Sequence, residues 1–386
     1  MSLLAALCAL TSSAAQGREL RRSMPFIRPS LMGDAYVAVA DEASAILYNP
    51  AALAGLPNKS VSAFVPQLTI DDQLLDAILD PQSLQDKYSG LDENSLRDLT
   101  GTTVNSNFNI AMPFVALPNS GMAFGFGLDL GTSLEVLDNP IGPNLDLEFY
   151  FDRVLLFTMA ARVNEQLDIG ITPKLVNRSG IHKILRFGEL FASSATLSFD
   201  NDPTFKDLSN GVSFTTVGLD VGLVWRLPAW PEWHPRIAFS ALNLGGVDEG
   251  RGFRGMEFGQ RPIAEDPPEA GELPQINTLG FAVSPIHNGI RYTVALDIVD
   301  VTRTLLPGDD LLLRSRLGLE IGIGVRKDGT ALFSLLGGYN AGHSSLGILS
   351  RVWIFEVGLG SYTVERGEKS GDNPDNRNVL VFGFRI

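Results

Sequence analysis

Few residues in this chain are placed to do bond-making chemistry. Its four histidines, His182, His234, His287 and His343, are scattered through expected loops and turns, and none has metal-ligand spacing. The serines of "GHSSLG" lie beside glycine, but without the G-x-S-x-G order of a nucleophile elbow. Gly322 and Gly324 lack the third glycine of a dinucleotide loop. The expectation is therefore no enzyme, no catalytic residue, no metal site and no cofactor. The more informative set is ten isolated charges: Asp129, Asp168, Lys174, Asp220, Arg226, Arg291, Asp297, Glu320, Arg326 and Arg385. Each stands among small residues on one side of an alternating stretch. Two readings are open for them. They pair with one another and with buried backbone, or some of them line a path for a solute.

The stretches that carry these charges alternate with period two, which means strands. In "GMAFGFGLDL", Met122, Phe124, Phe126, Leu128 and Leu130 share a face, with Ala123, Gly125, Gly127 and Asp129 opposite. "VGLDVGLVWRL" and "LGLEIGIGVR" repeat the arrangement, as do Tyr292, Val294, Leu296 and Ile298 against Arg291, Thr293, Ala295 and Asp297. A soluble sandwich alternates too, but its solvated face carries Lys, Thr and Glu. Here that face is glycine with single charges, and the strands are long. A barrel strand crossing a bilayer needs about 9–11 residues, apolar toward lipid and polar toward the lumen. Connections agree: tight joints at 118–120, 164–166, 228–235, 286–289 and 327–329 alternate with long ones near 67–103, 132–146, 178–210, 248–273, 302–310 and 364–377. The expected fold is an all-β membrane protein: an antiparallel transmembrane β-barrel of about fourteen strands, both termini on the short-turn side. Trp225, Trp230, Trp233 and Trp353 fall at the short-turn end and Phe149, Tyr150 and Phe151 at the other rim, as aromatic girdles do.

Composition narrows the setting. The net charge is −14 and no basic stripe occurs, which argues against a nucleic-acid partner. The start, "MSLLAALCALTSSAAQG", reads as a signal peptide over about 1–17. It contains the lone Cys8, so the mature chain has neither disulfide nor thiolate site. The last strand, "NVLVFGFRI", aligns Leu380, Phe382, Phe384 and Ile386 and resembles the terminal signal read by barrel-insertion machinery.

Residues 18–58 do not alternate. "GDAYVAVADEASAILYNPAALAGLP" is rich in small residues and broken at Asn49-Pro50. Asp41–Tyr48 can form a short helix, and Asn49 caps a second one that Pro50 starts and Gly55 closes. Such a segment can plug a wide tube. "SLMGDAYVAVADEASAILYNPAALAGL", with its Asn49, Pro50 and Ala51, resembles the hatch signature of the FadL-like outer-membrane barrels, the long-chain fatty-acid transporter superfamily. "GYNAGHSSLG" and "SYTVERGEKSGDNPDNRNVLVFGF" resemble its PorV-type and uncharacterised branches. The resemblance implies a bacterial outer-membrane location and a fourteen-stranded barrel over 59–386. It also implies a periplasm-facing hatch, with Asp34, Asn49, Pro50 and Ala51 in its motif, and a path for hydrophobic molecules that leaves sideways.

Pro113 has no N–H for the sheet ladder, which makes it the candidate for a lateral opening. Leu74, Leu75, Ile78 and Leu79 recur at helical spacing in loop 67–103, the candidate extracellular cap. Loop 248–273 is acidic and expected at the surface. Two functions follow. The first is a hatch-gated passive channel for a hydrophobic or small amphipathic molecule, with the bilayer and bound lipid or detergent as companions. The second is a plugged barrel serving secretion or envelope proteins as a scaffold.

Overall fold

The computed structural model describes residues 24–39, 41–56, 60–79, 103–137, 144–185, 212–246, 273–306, 310–326, 329–367 and 369–385. The expected signal peptide, the acidic loop through residue 272 and loop residues 80–102 lie outside them. The wall consists of β1 (Ser60–Asp71), β2 (Thr103–Leu117), β3 (Met122–Leu137), β4 (Asn144–Arg162) and β5 (Leu167–Leu185). Next come β6 (Val212–Arg226), β7 (Arg236–Leu242), β8 (Ile276–Val283), β9 (Ile286–His287) and β10 (Ile290–Val299). It ends with β11 (Ser315–Ile323), β12 (Phe333–Asn340), β13 (His343–Val352), β14 (Phe355–Glu365) and β15 (Pro374–Arg385). Every neighbour is antiparallel, and β1 pairs with β15, so the sheet closes on itself. β8 and β9 both pair with β10 and form one strand interrupted at Ser284-Pro285, which makes fourteen barrel strands.

Burial along the wall is inverted relative to a soluble protein. On β10, Tyr292, Val294 and Leu296 are 42–45% exposed, whereas Arg291, Thr293 and Asp297 are 0–5% exposed. Apolar side chains face outward around the ring and charged ones inward, the pattern of a barrel that spans a bilayer. No helix among the described residues is long and apolar enough to cross a membrane. Trp225, Trp230, Trp233 and Trp353 stand exposed at the short-turn end, where an aromatic side chain meets both lipid and headgroup.

Short and long joints alternate as expected, with one exception. Ala341-Gly342 joins β12 to β13 at the long-loop end in two residues, within the stretch whose hairpins the alternation alone did not resolve. Several strands also extend into the expected long joints, among them β1 to Asp71, β3 to Leu137, β5 to Leu185 and β15 from Pro374. There the backbone ladder continues in register and is accompanied by cross-strand polar pairs, such as Ser106–Thr132 at 2.7 Å and Asn177–Thr215 at 2.8 Å. The helical segment therefore begins at Asp72, not at 67, and runs Asp72–Leu79 with Asp71 accepting from Leu74 N. Leu74 and Leu75 are half-buried on the rim, but Ile78 and Leu79 are 60% and 73% exposed. The helix starts on the rim as a continuation of β1. Tyr150 also departs from the rim expectation: it points inward, with its hydroxyl 3.1 Å from Asn107 Nδ2.

Candidate functional site

The lumen is filled by the N-terminal segment, which reaches from the short-turn ends of β5 and β6 to the long-loop ends of β10–β12. A helix at Ile27–Leu31 is followed by 3-10 turns at Ala43–Leu47 and Pro50–Gly55, the first of them shorter than the helix expected over 41–48. Ala35, Tyr36, Val37, Ala38, Val39, Ala43, Ala45 and Ile46 are fully buried inside the barrel. Asn49 is extended, as a residue before proline must be, and makes the corner. Its Oδ1 accepts from Ala51 N at 3.0 Å, and its Nδ2 donates to Val37 O and to Leu223 O of β6, each at 3.1 Å. One side chain thus caps a turn, folds the hatch back on itself and fastens it to the wall.

Inward glycines explain why the alternating strands carry so few polar side chains. A Cβ at Gly222 would strike Asn49 and Pro50, and one at Gly170 would strike the backbone of Pro50 and Ala51. Across the lumen, Gly338 of β12 meets Gly33, which holds φ +60° and turns the chain after Leu31. Asp34 follows with φ +62°, a conformation that Asp tolerates better than most residues.

Charge holds the opposite wall. Four guanidiniums (Arg28, Arg291, Arg351, Arg385) interleave with four carboxylates (Asp41, Glu42, Glu320, Glu356). Arg28 reaches Asp41 and Glu320, each at 2.5 Å, and Arg291 reaches Asp41 at 3.0 Å and Glu320 at 3.1 Å. Arg351 bridges Glu42 at 2.6 Å and Glu356 at 2.7 Å, and Arg385 bridges the same pair at 2.9 and 3.2 Å. Tyr36 donates to Glu42 and accepts from Arg28. Burial pushes the Asp41 carboxyl up, but Arg28 and then Arg291 outweigh it and hold it at about 2. Glu42 is likewise opposed by burial and held well below the usual range by Arg351, Arg385 and Arg28. Every carboxylate in this set faces a guanidinium, so the arrangement fixes charge in place and presents no free general base.

The ten predicted lumen charges separate into groups. Lys174 pairs with Asp220 at 2.7 Å, Arg226 with Asp168, and Arg291 with Glu320. Arg385 joins the hatch through Glu42. Asp129 and Asp297 accept hatch backbone N–H groups, from Met24 at 3.1 Å and from Tyr36 and Val37 at 2.7 and 2.9 Å. Arg326 lies beyond the end of β11, in the short turn, and donates to Arg351 O at 3.0 Å. Sequence reasoning missed Arg28, Asp152, Arg178, Arg351 and Glu356. The available signal was Asp41-Glu42, an acidic pair in a segment bound for the lumen, which required basic partners. Pro113 sits with Met112 in a bulge of β2, where pairing with β3 steps from Ala111–Gly127 to Phe114–Gly125. Phe114 turns inward there, and its ring packs edge-on against Phe26 of the hatch at 6.3 Å between centroids.

Above the hatch, in the long-loop half, a cavity of about 120 Å³ remains. Pro25, Ser30, Asp34 and Tyr48 of the hatch border it, and its walls are the outer turns of β1–β4, β10–β12, β14 and β15.

The architecture implied by the sequence resemblance, fourteen strands around an N-terminal hatch, is the one this chain adopts. Among solved structures it is similar to the CymD monoaromatic hydrocarbon channel at 12% identity and TM-score 0.49, covering 94% of this chain and 98% of that one. It is similar to the Pseudomonas putida toluene transporter TodX at 12% identity and TM-score 0.46, covering 96% and 99%. A Pseudomonas aeruginosa FadL homologue gives 13% identity and TM-score 0.45, covering 94% and 98%. No family profile and no curated protein sequence matches the chain. At these scores the functional reading rests on the lumen of this chain and not on its neighbours.

Proposed function

We propose that this integral barrel lies in a bacterial outer membrane and passes a hydrophobic or small amphipathic molecule by passive diffusion, with residues 18–58 as the gate. The observation that carries the reading is the division of the lumen. A hatch held by non-covalent contacts fills most of the lumen, and a cavity remains on its long-loop side. No energy source, cofactor or catalytic group enters the reading. Asp34, Asn49, Pro50 and Ala51 set the gate's resting shape, and the inward charges hold it. The bulge at Met112-Pro113 is the proposed sideways exit: moving Phe26 off Phe114 uncovers a place where β2 and β3 are already out of register. The expected result is faster uptake of a hydrophobic fluorescent probe, N-phenylnaphthylamine, by cells that display the intact barrel than by cells without it. Equal uptake contradicts the channel. One observation favours the scaffold reading: the hatch is tied down by a complete set of ion pairs. Equal uptake together with stable co-purification of other envelope proteins would select that alternative.

A further inference from the structure

We propose that the outward face of β4–β6 carries a lipid site, in which Arg153 binds the phosphate of a phosphorylated glycolipid in the leaflet at the long-loop end. The inference rests on the outer-membrane placement and is independent of whether the barrel conducts. Among the described side chains of the wall, Arg153 is the one charged group on the outward side of its strand; the others, from Asp71 of β1 to Arg385 of β15, share the inward parity. Arg153 is exposed, pairs with no carboxylate among the described residues, and is followed on the same side by Leu155, Phe157, Met159 and Ala161. A guanidinium that faces lipid is costly at mid-bilayer and nearly free at the headgroup boundary, so depth decides what it meets. At about 3.3 Å per residue and a tilt of about 40°, Arg153 stands about 20 Å above Ala161 along the axis, within an apolar band about 25 Å tall. It therefore lies near the long-loop boundary. Outward polar pairs mark the same level elsewhere: Ser106–Thr132 lies just beyond Phe108, and Thr363–Asn376 just beyond Leu359.

The guanidinium is held ready for an anion. It lies 4.6 Å from the centre of the Phe151 ring, and its Nη1 donates to Asn177 Oδ1 at 2.5 Å. Asn177 Nδ2 in turn donates to Thr215 Oγ1 at 2.8 Å. Nε and Nη2 remain, the fork that takes two phosphate oxygens at once. A side chain already fixed by a ring and an amide loses little freedom on binding. The amide and hydroxyl beside it suit the hydroxyls of a phosphorylated sugar. In a chain of net charge −14, an anionic headgroup is repelled over much of the surface, and this acid-free face admits it.

The test is native mass spectrometry of the full barrel in a neutral detergent, octyl tetraoxyethylene. It is titrated with lipid A, with lipid A stripped of its phosphates, and with inorganic phosphate. Lipid A is expected to be retained about tenfold more tightly than the stripped form. Arg153→Gln should weaken lipid A about tenfold and leave the stripped form unchanged. Arg153→Lys, which keeps the charge but not the fork, should fall between. Lys369→Gln removes a charge between β14 and β15, away from this face, and should bind as the native chain does. Native retention by Arg153→Gln, in a barrel with native heat-modifiable migration, overturns the proposal. Equal retention of stripped lipid A also overturns it, because acyl contact alone would then suffice. Displacement of lipid A by inorganic phosphate would assign the site to the free anion and overturn the lipid. Membrane fractionation separates the site from its premise: recovery outside the outer-membrane fraction contradicts the placement and the proposal together, whereas recovery within it leaves Arg153 alone on trial.

Discussion

The hatch is held differently on its two sides. Against β5 and β6 it is held by shape: Gly170 and Gly222 let the chain at Asn49-Pro50 press onto the wall, and Asn49 adds one hydrogen bond to Leu223 O. Against β10–β15 close packing recurs, with Gly338 on Gly33 and Gly318 on Met32, but charge is added to it through Arg28, Asp41 and Glu42 and their partners. Close backbone packing is indifferent to pH and fails when volume is added. A buried ion-pair set is strong only while complete, and removing one member strands the rest. The same plug therefore answers to two unrelated perturbations.

The charge-held side should give the largest effect. Arg28→Met leaves Asp41 and Glu320 each short of a partner and should cost about 3–5 kcal/mol of hatch attachment. Limited proteolysis of the folded barrel reads this out as cleavage within the hatch while the wall survives. Protection equal to that of the native chain would make the ion pairs incidental. On the shape-held side, Gly222→Val drives a side chain into Asn49 and Pro50 and should cost about 1–3 kcal/mol by the same assay. If the two variants lower protection additively, the sides act independently; a large coupling would mean that they form one unit. Asn49→Ala removes the cap and the bond to Leu223 O and should cost about 1–2 kcal/mol.

The smallest effect is that of acid, and it should appear only on the charged side. Asp41 lies at about 2 against an ordinary 3.8. A carboxyl with a lowered value contributes stability above its ordinary value and loses it as pH falls toward the folded one. Hatch protection should thus be flat from about pH 7 to 5 and decline below about pH 4. Arg28→Met should flatten that decline, whereas Gly222→Val should leave it in place. A decline centred near neutral pH would assign it to other groups.

Much of the wall was legible because alternation is a local property. Leu317, Leu319 and Ile321 read as outward from their neighbours alone, and the turn parity fixed which end held the tryptophans. The Asn49-Pro50 corner was legible for the same reason, since proline restricts the residue before it. The glycines were visible, but their purpose was not: Gly338 is explained only by Gly33, some 300 positions away. Arg28 was missed because its segment carries no periodicity, and Arg351 and Glu356 because they flank the tight turn at 353–354, in hairpins whose ends alternation does not mark. Tyr150 misled because an aromatic triplet reads as a girdle whichever way its middle residue points.

The central claim is that residues 33–57 close a lumen that would otherwise conduct. Planar-bilayer conductance of the barrel lacking them, beside the intact chain, tests it most directly. Large, persistent ion conductance is predicted for the deletion and little for the intact barrel, with heat-modifiable migration showing that both have assembled. An assembled deletion barrel that conducts no better than the intact one would contradict the account.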